Sequence, residues 1–76
     1  MLLSEGVPGR RYKVRSIKVE SLALMRRMVD MGVVPGSVVE VERVAPLGDP
    51  IEVLVRGYHL SLRREEASAV EVEEVG

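Results

Sequence analysis

The spacing of apolar residues changes along this chain, and the changes mark its elements. In "RYKVRSI", Tyr12, Val14 and Ser16 share one face and Arg11, Lys13 and Arg15 the other, the pattern of a half-buried strand. From Glu20 to Met31 the period lengthens. Wound at about 100° per residue, Leu22, Leu24, Met25, Met28, Val29 and Met31 fall on one half of the helical wheel, opposite Arg26, Arg27 and Asp30. Ser21 stands where an N-cap oxygen is needed. Gly32 follows the last apolar residue, where the chain leaving a helix turns left-handed.

Pro8-Gly9 and Pro35-Gly36 each precede a strand-like run. Proline presets φ at the second turn position and glycine accepts a positive φ at the third, which is type II turn chemistry. Gly6 to Gly9 is read as the start of the ordered part. "SVVEVERV" then reads as a strand and "APLGDP", with two prolines and a glycine, as a loop. "IEVLV" and "YHLSL" flank Arg56-Gly57 as a hairpin. A two-residue turn would set Val55 against Tyr58, Val53 against Leu60 and Ile51 against Leu62, all on one apolar face. The other face would pair Glu52 with Ser61 and Leu54 with His59. Arginine is not a favoured first residue of a primed turn, and a bulged turn would shift this register. "RREEAS" suits one polar helical turn. "AVEVEEV" closes as a strand with Val70 and Val72 inward and Glu71 and Glu73 outward. The fold class expected is mainly β, a small barrel or strongly bent sheet of about five strands with one inserted α-helix. Closing the sheet would remove its exposed edges.

Composition narrows the function. The 76 residues allow one domain, 1–76. With 46% hydrophobic and 30% charged residues and a formal charge of −1, the chain reads as globular and lacks the basic excess of a dedicated nucleic-acid binder. The absence of cysteine excludes disulfides, thiolate metal sites and cysteine nucleophiles. No apolar run approaches the ~20 residues of a membrane span, and the N-terminal residues do not form a signal peptide, so a cytoplasmic location is expected. Asparagine and glutamine are absent while glutamate and arginine abound, a pattern of proteins from hot-growing organisms.

Candidate chemistry is sparse. His59 shares a strand face with Ser61, but neither has a visible orienting acid, so no catalytic residue is assigned. One histidine and no cysteine offer zinc no ordinary ligand set. Met25, Met28 and Met31 at helical spacing read as core filling. No metal or cofactor site is assigned. Gly32 to Gly36 is no phosphate cradle: such loops lead into a helix N-terminus, whereas here a helix leads into a strand. The segment reads as a joint. Arg10, Arg11, Lys13 and Arg15 could serve an RNA-binding barrel. The last strand carries Glu71, Glu73 and Glu74, however, and pairing it with the first would neutralise the basic stripe. The aromatic platform for single strands is also missing. Leu54 and His59, paired outward, make an apolar and imidazole patch that is a candidate partner site. Arg26 and Arg27, beside Asp30, are further partner candidates, though a solvated face with local charge pairs accounts for them too.

The order and spacing of several stretches resemble the FeoA family: Arg27 to Gly36, "PLGDPI" from Pro46 to Ile51, "VRGYHLSLR" from Val55 to Arg63, then Glu66-Ala67 and a valine strand. The resemblance covers nearly the whole chain. It implies an SH3-like barrel with an inserted helix and no enzyme activity. It also implies a role in ferrous-iron uptake beside the large permease FeoB, which has a cytoplasmic GTPase region. The same module occurs as the C-terminal domain of DtxR-type iron-dependent repressors. This chain lacks their helix-turn-helix and metal-binding domain, and the free-standing form is expected. The expectation is therefore a non-enzymatic accessory of Fe(II) transport acting by protein–protein contact. The alternatives are an RNA-binding barrel and an effector-binding domain of a repressor system. The sequence leaves the oligomeric state open, a homo-oligomer included.

Overall fold

The computed structural model describes all 76 residues, and its strands form where side chains alternate. They are β1 (Arg11–Ile17), β2 (Val38–Val44), β3 (Ile51–Val55), β4 (Tyr58–Leu62) and β5 (Val70–Val75). Helix α1 (Leu22–Asp30) lies between β1 and β2, and a one-turn helix α2 (Arg64–Ala67) between β4 and β5. All five strands join one antiparallel sheet in the order β4-β3-β2-β1-β5. Tyr12, Val14, Val39, Val41, Ile51, Val53, Val55, Leu62, Val70 and Val72 line one face, each at most 2% exposed. A flat sheet would need a second layer to bury that face. Here the sheet curls around it, with register shifts between Val14 and Ser16 and between Val41 and Arg43, the positions where bulges bend strands. Leu3, Met28, Val33 and Ala67 complete the core from outside the sheet.

The expected local devices form. Leu24 N–H donates to the Ser21 hydroxyl at the head of α1. At its end Gly32 takes φ 82°. Gly32 N–H reaches the Val29 carbonyl and Val33 N–H the Met28 carbonyl, the paired bonds of a Schellman ending. The Pro35-Gly36 turn closes through Ser37 N–H to the Val34 carbonyl, and Gly36 N–H bonds the Val14 carbonyl of β1. Gly32 to Gly36 is thus a joint tied into the sheet.

Three expectations change. The curled sheet is not closed by hydrogen bonds: β5 pairs only with β1 and β4 only with β3, so the two outer strands stay as edges. Order begins before Gly6, because Leu3 sits in a short 3₁₀ turn (Leu3–Glu5) and is fully buried. The apolar half of α1 is also less buried than its pattern implies. Met28 is buried and Leu24 and Met31 pack against the core, but Leu22 is 82% and Val29 52% exposed. The helix meets the barrel along the single line Leu24–Met28–Met31, which leaves one flank of its apolar arc in solvent.

Candidate functional site

The hairpin that carries Leu54 and His59 has the register expected of a two-residue turn. Val55 faces Tyr58, Leu54 faces His59, Val53 faces Leu60, Glu52 faces Ser61 and Ile51 faces Leu62. Arg56 at φ 50° and Gly57 at φ 82° both have left-handed backbone, as a type I′ turn requires. Leu54 and His59 are therefore cross-strand neighbours on the outer face, Leu54 half-buried and His59 exposed. His59 does have an acid. Its Nδ1 lies 2.7 Å from Glu42 Oε1, and since a carboxylate only accepts, that nitrogen carries the proton. Sequence spacing hides this pairing because Glu42 sits at the irregularity between Val41 and Arg43, and a bulge re-aims a side chain out of the regular alternation. Ser61 makes no hydrogen bond to His59. No three of the histidine, aspartate and glutamate side chains come together as a metal-holding group.

The two arginines of α1 part company. Arg27 reaches away from its helix to Glu66 of α2. Glu66 is only 6% exposed and also accepts the Arg63 backbone N–H at 2.8 Å. This buried carboxylate pins α1 to the region where β4 turns toward β5. Arg26 and Asp30 stay exposed and form no ion pair, so the local charge pairs expected on this face are absent. The nearest partner for Arg27 lies 39 residues away in sequence.

A cleft that the sequence does not reveal lies beside the hairpin tip. Val29, Asp30, Met31 and Gly32 at the end of α1 face Arg56, Tyr58 and Leu60 across a space of about 310 Å³. Tyr58 is 70% exposed. The Arg56 side chain lies over Gly32, so close that a Cβ there would meet its Cδ at 3.0 Å. This places a cation against the electronegative end of α1. The signal was present in the sequence as an arginine where a primed turn prefers asparagine or glycine. The strained residue is held where its side chain lies over the end of α1 and walls a cleft.

The basic stripe of β1 is partly neutralised as its pairing with β5 predicts. Arg10 bonds Glu74 at 3.2 Å and Arg15 bonds Glu73 at 2.9 Å. Arg11 and Lys13 carry no ion pair. Among the helical methionines, Met28 is core and Met25 and Met31 are half-buried.

Comparison with known proteins bears on this surface. The chain matches the FeoA domain model over residues 1–74. It is 41% identical over 58 residues to the Fe(2+) transport protein A/Fe(2+) transporter FeoB fusion protein of Porphyromonas gingivalis, a match covering 75% of this chain and 7% of that protein. The solution structure of iron(II) transport protein A from Clostridium thermocellum superposes with a TM-score of 0.92 at 41% identity, over 99% of this chain and 46% of that one. The Stenotrophomonas maltophilia FeoA complexed with zinc, described as a procaryotic SH3 domain protein, superposes at 0.84 with 32% identity, over 96% and 89%. The crystal structure of T. acidophilum IdeR shares the fold alone, at 21% identity and a TM-score of 0.88 over 99% of this chain and 34% of that one. By the near-complete span of the domain match and the SH3-like sheet with its inserted helix, this chain belongs to the FeoA family, whose members take part in ferrous-iron transport.

Proposed function

We propose that this chain is a non-enzymatic accessory of Fe(II) transport that works by contact with the cytoplasmic GTPase region of a FeoB-type permease. One observation carries the reading: in P. gingivalis a segment 41% identical to this chain belongs to the same polypeptide as an Fe(2+) transporter. Fusion holds one module at high effective concentration beside the other. This chain spans 7% of that protein, so as a separate molecule it would need a surface of its own to reach the remainder. Exposed apolar residues supply material for one: Leu22 and Val29 on α1, Tyr58 on β4. Leu54 with His59, and Arg26 on the open face of α1, remain candidate contacts; Arg27 would contribute through its hold on Glu66. The reading places the chain in the cytoplasm, on the permease's GTPase side.

The RNA alternative loses ground because Arg10 and Arg15 are engaged by Glu74 and Glu73. The effector-binding alternative has the shared fold behind it and no more. Deleting the gene from its host should slow ferrous-iron uptake, and supplying the chain on a plasmid should restore it. Unchanged uptake in the deletion strain would contradict the proposal. Salt-dependent retention of RNA by the purified chain would move the case to the RNA reading.

A further inference from the structure

Strand β4 is an uncovered sheet edge. Its residues exchange backbone hydrogen bonds with β3 alone, and none of the bonds made by loops and termini reaches Tyr58 to Leu62. The two-residue turn fixes which groups are free. Val55 and Tyr58 flank the turn as a hydrogen-bonded pair, so Leu54–His59 and Glu52–Ser61 are the non-bonded pairs of the ladder. The N–H and C=O of His59 and Ser61 therefore point away from β3. Soluble proteins guard such edges with charge, proline, bulges or a covering segment. The opposite edge has two of these. Val72 N–H donates to the Met1 carbonyl at 2.8 Å, Leu2 bridges Glu71, and β5 carries Glu71, Glu73 and Glu74. "YHLSL" has no proline, no carboxylate and no lysine or arginine.

The surroundings specify an occupant. Arg56 precedes β4, and Arg63 and Arg64 follow it. Asp30 shares the cleft with Arg56, and Asp49 and Glu65 share a corner with Arg63 and Arg64. None of these carboxylates forms an ion pair with the three arginines, and Asp49 accepts the Arg64 backbone N–H. β4 carries no carboxylate, lysine or arginine of its own, and its His59 is held by Glu42 on the outer face. The strand is bracketed at both ends by guanidinium groups that form no ion pair. A second copy is a poor match. Antiparallel pairing of two β4 strands would set the Arg56 end of each against the Arg63–Arg64 end of the other, like charge against like.

We propose that the β4 edge takes up an extended segment of the permease partner, added as a sixth strand, with apolar side chains at its centre and a carboxylate near each end. The added backbone would bond the free groups of His59 and Ser61. A side chain set beside Leu60 on the inner face would enter the cleft between Val29, Met31 and Tyr58. The terminal carboxylates would meet Arg56 and Arg63. This rests on the proposed contact with the permease and names the surface that makes it.

The test uses the ¹⁵N-labelled full chain and the purified cytoplasmic region of the permease. In the free chain, His59 and Ser61 amides should exchange quickly with solvent while Leu60 exchanges slowly. On binding, His59 and Ser61 should slow by about tenfold or more. Ser61→Pro removes an edge donor at a position where an outward N–H makes proline tolerable. The double charge reversal Arg56→Glu with Arg63→Glu leaves the backbone groups in place and decides the matter should the proline variant fail to fold. Each should weaken binding by about tenfold or more. Binding that leaves the His59 and Ser61 amides unprotected, or charge-reversed protein that binds like the parent, overturns this surface and leaves the adaptor reading standing. No binding by the parent chain removes both. Concentration-dependent protection of the same amides in the chain alone would replace the permease segment with a second copy.

Discussion

Glu66 sits where carboxylates are rare, at 6% exposure, and it keeps its charge company with the Arg27 side chain and the Arg63 N–H. Removing it should leave Arg27 without a partner and the head of α2 uncapped. Glu66→Ala is expected to lower unfolding stability by about 2 kcal/mol, read by urea denaturation, and Glu66→Gln by clearly less because the amide oxygen can still accept. Equal losses for the two would mean that the carboxylate's charge beside Arg27, and not its place as a hydrogen-bond acceptor, carries the contribution. Arg56 gives the opposite case. Its φ of 50° costs an ordinary residue about 1–2 kcal/mol relative to extended or helical backbone. Asparagine tolerates that conformation and suits the turn. Arg56→Asn should therefore raise the denaturation midpoint while weakening partner binding, and a variant no more stable than the parent would mean that the strain does not exceed what the cation contributes at the end of α1. The two residues also differ in legibility. Arg56 could be flagged from sequence as the wrong residue for its turn. Glu66 looked like one of several surface glutamates, because its partner on α1 is distant in the chain and meets it only after folding.

Elements read differently according to how local their causes are. The β3–β4 hairpin was legible to the residue because its register follows from a two-residue turn and one apolar face. The α1 boundaries followed from Ser21 and Gly32, whose bonds close within a turn. Which part of the apolar arc α1 buries was not legible, since that depends on where the barrel lies. The line Leu24–Met28–Met31 faces the core, and Leu22 and Val29 flank it in solvent. Met28→Ala should accordingly cost about 2–4 kcal/mol, whereas Leu22→Ala should stay within about 0.5 kcal/mol. Parallel denaturant curves for the two variants check this, and similar losses would mean that Leu22 is covered. The β2 irregularity at Glu42 was equally hidden, and with it the acid beside His59. Alternation alone gives no sign of an extra residue in a strand.

For the whole molecule, the pairing of β1 with β5 turns opposite stripes of charge into neighbours, with Arg10–Glu74 and Arg15–Glu73 formed across it. Exposed pairs like these add little singly at room temperature and more as networks when hot. With asparagine, glutamine and cysteine absent, the melting temperature should exceed the ~65 °C upper range of ordinary mesophilic domains. A calorimetric midpoint near ~50 °C would contradict the hot-growth reading. The sheet order also leaves β4 as the one edge with neither charge nor cover, on the side where α1 exposes Val29 and the hairpin exposes Tyr58. The candidate patch of Leu54 and His59 was visible in the sequence. The cleft and the bare edge behind it were not, because they arise from the end of α1 meeting a strand that follows it by more than twenty positions. On the proposed reading this surface meets the permease. Isothermal titration of the purified chain into the cytoplasmic region of the FeoB-type permease, at low and then at physiological salt, tests it most directly. Binding should be saturable and should weaken with salt as the arginine contacts are screened; no binding at either salt concentration would contradict the adaptor role.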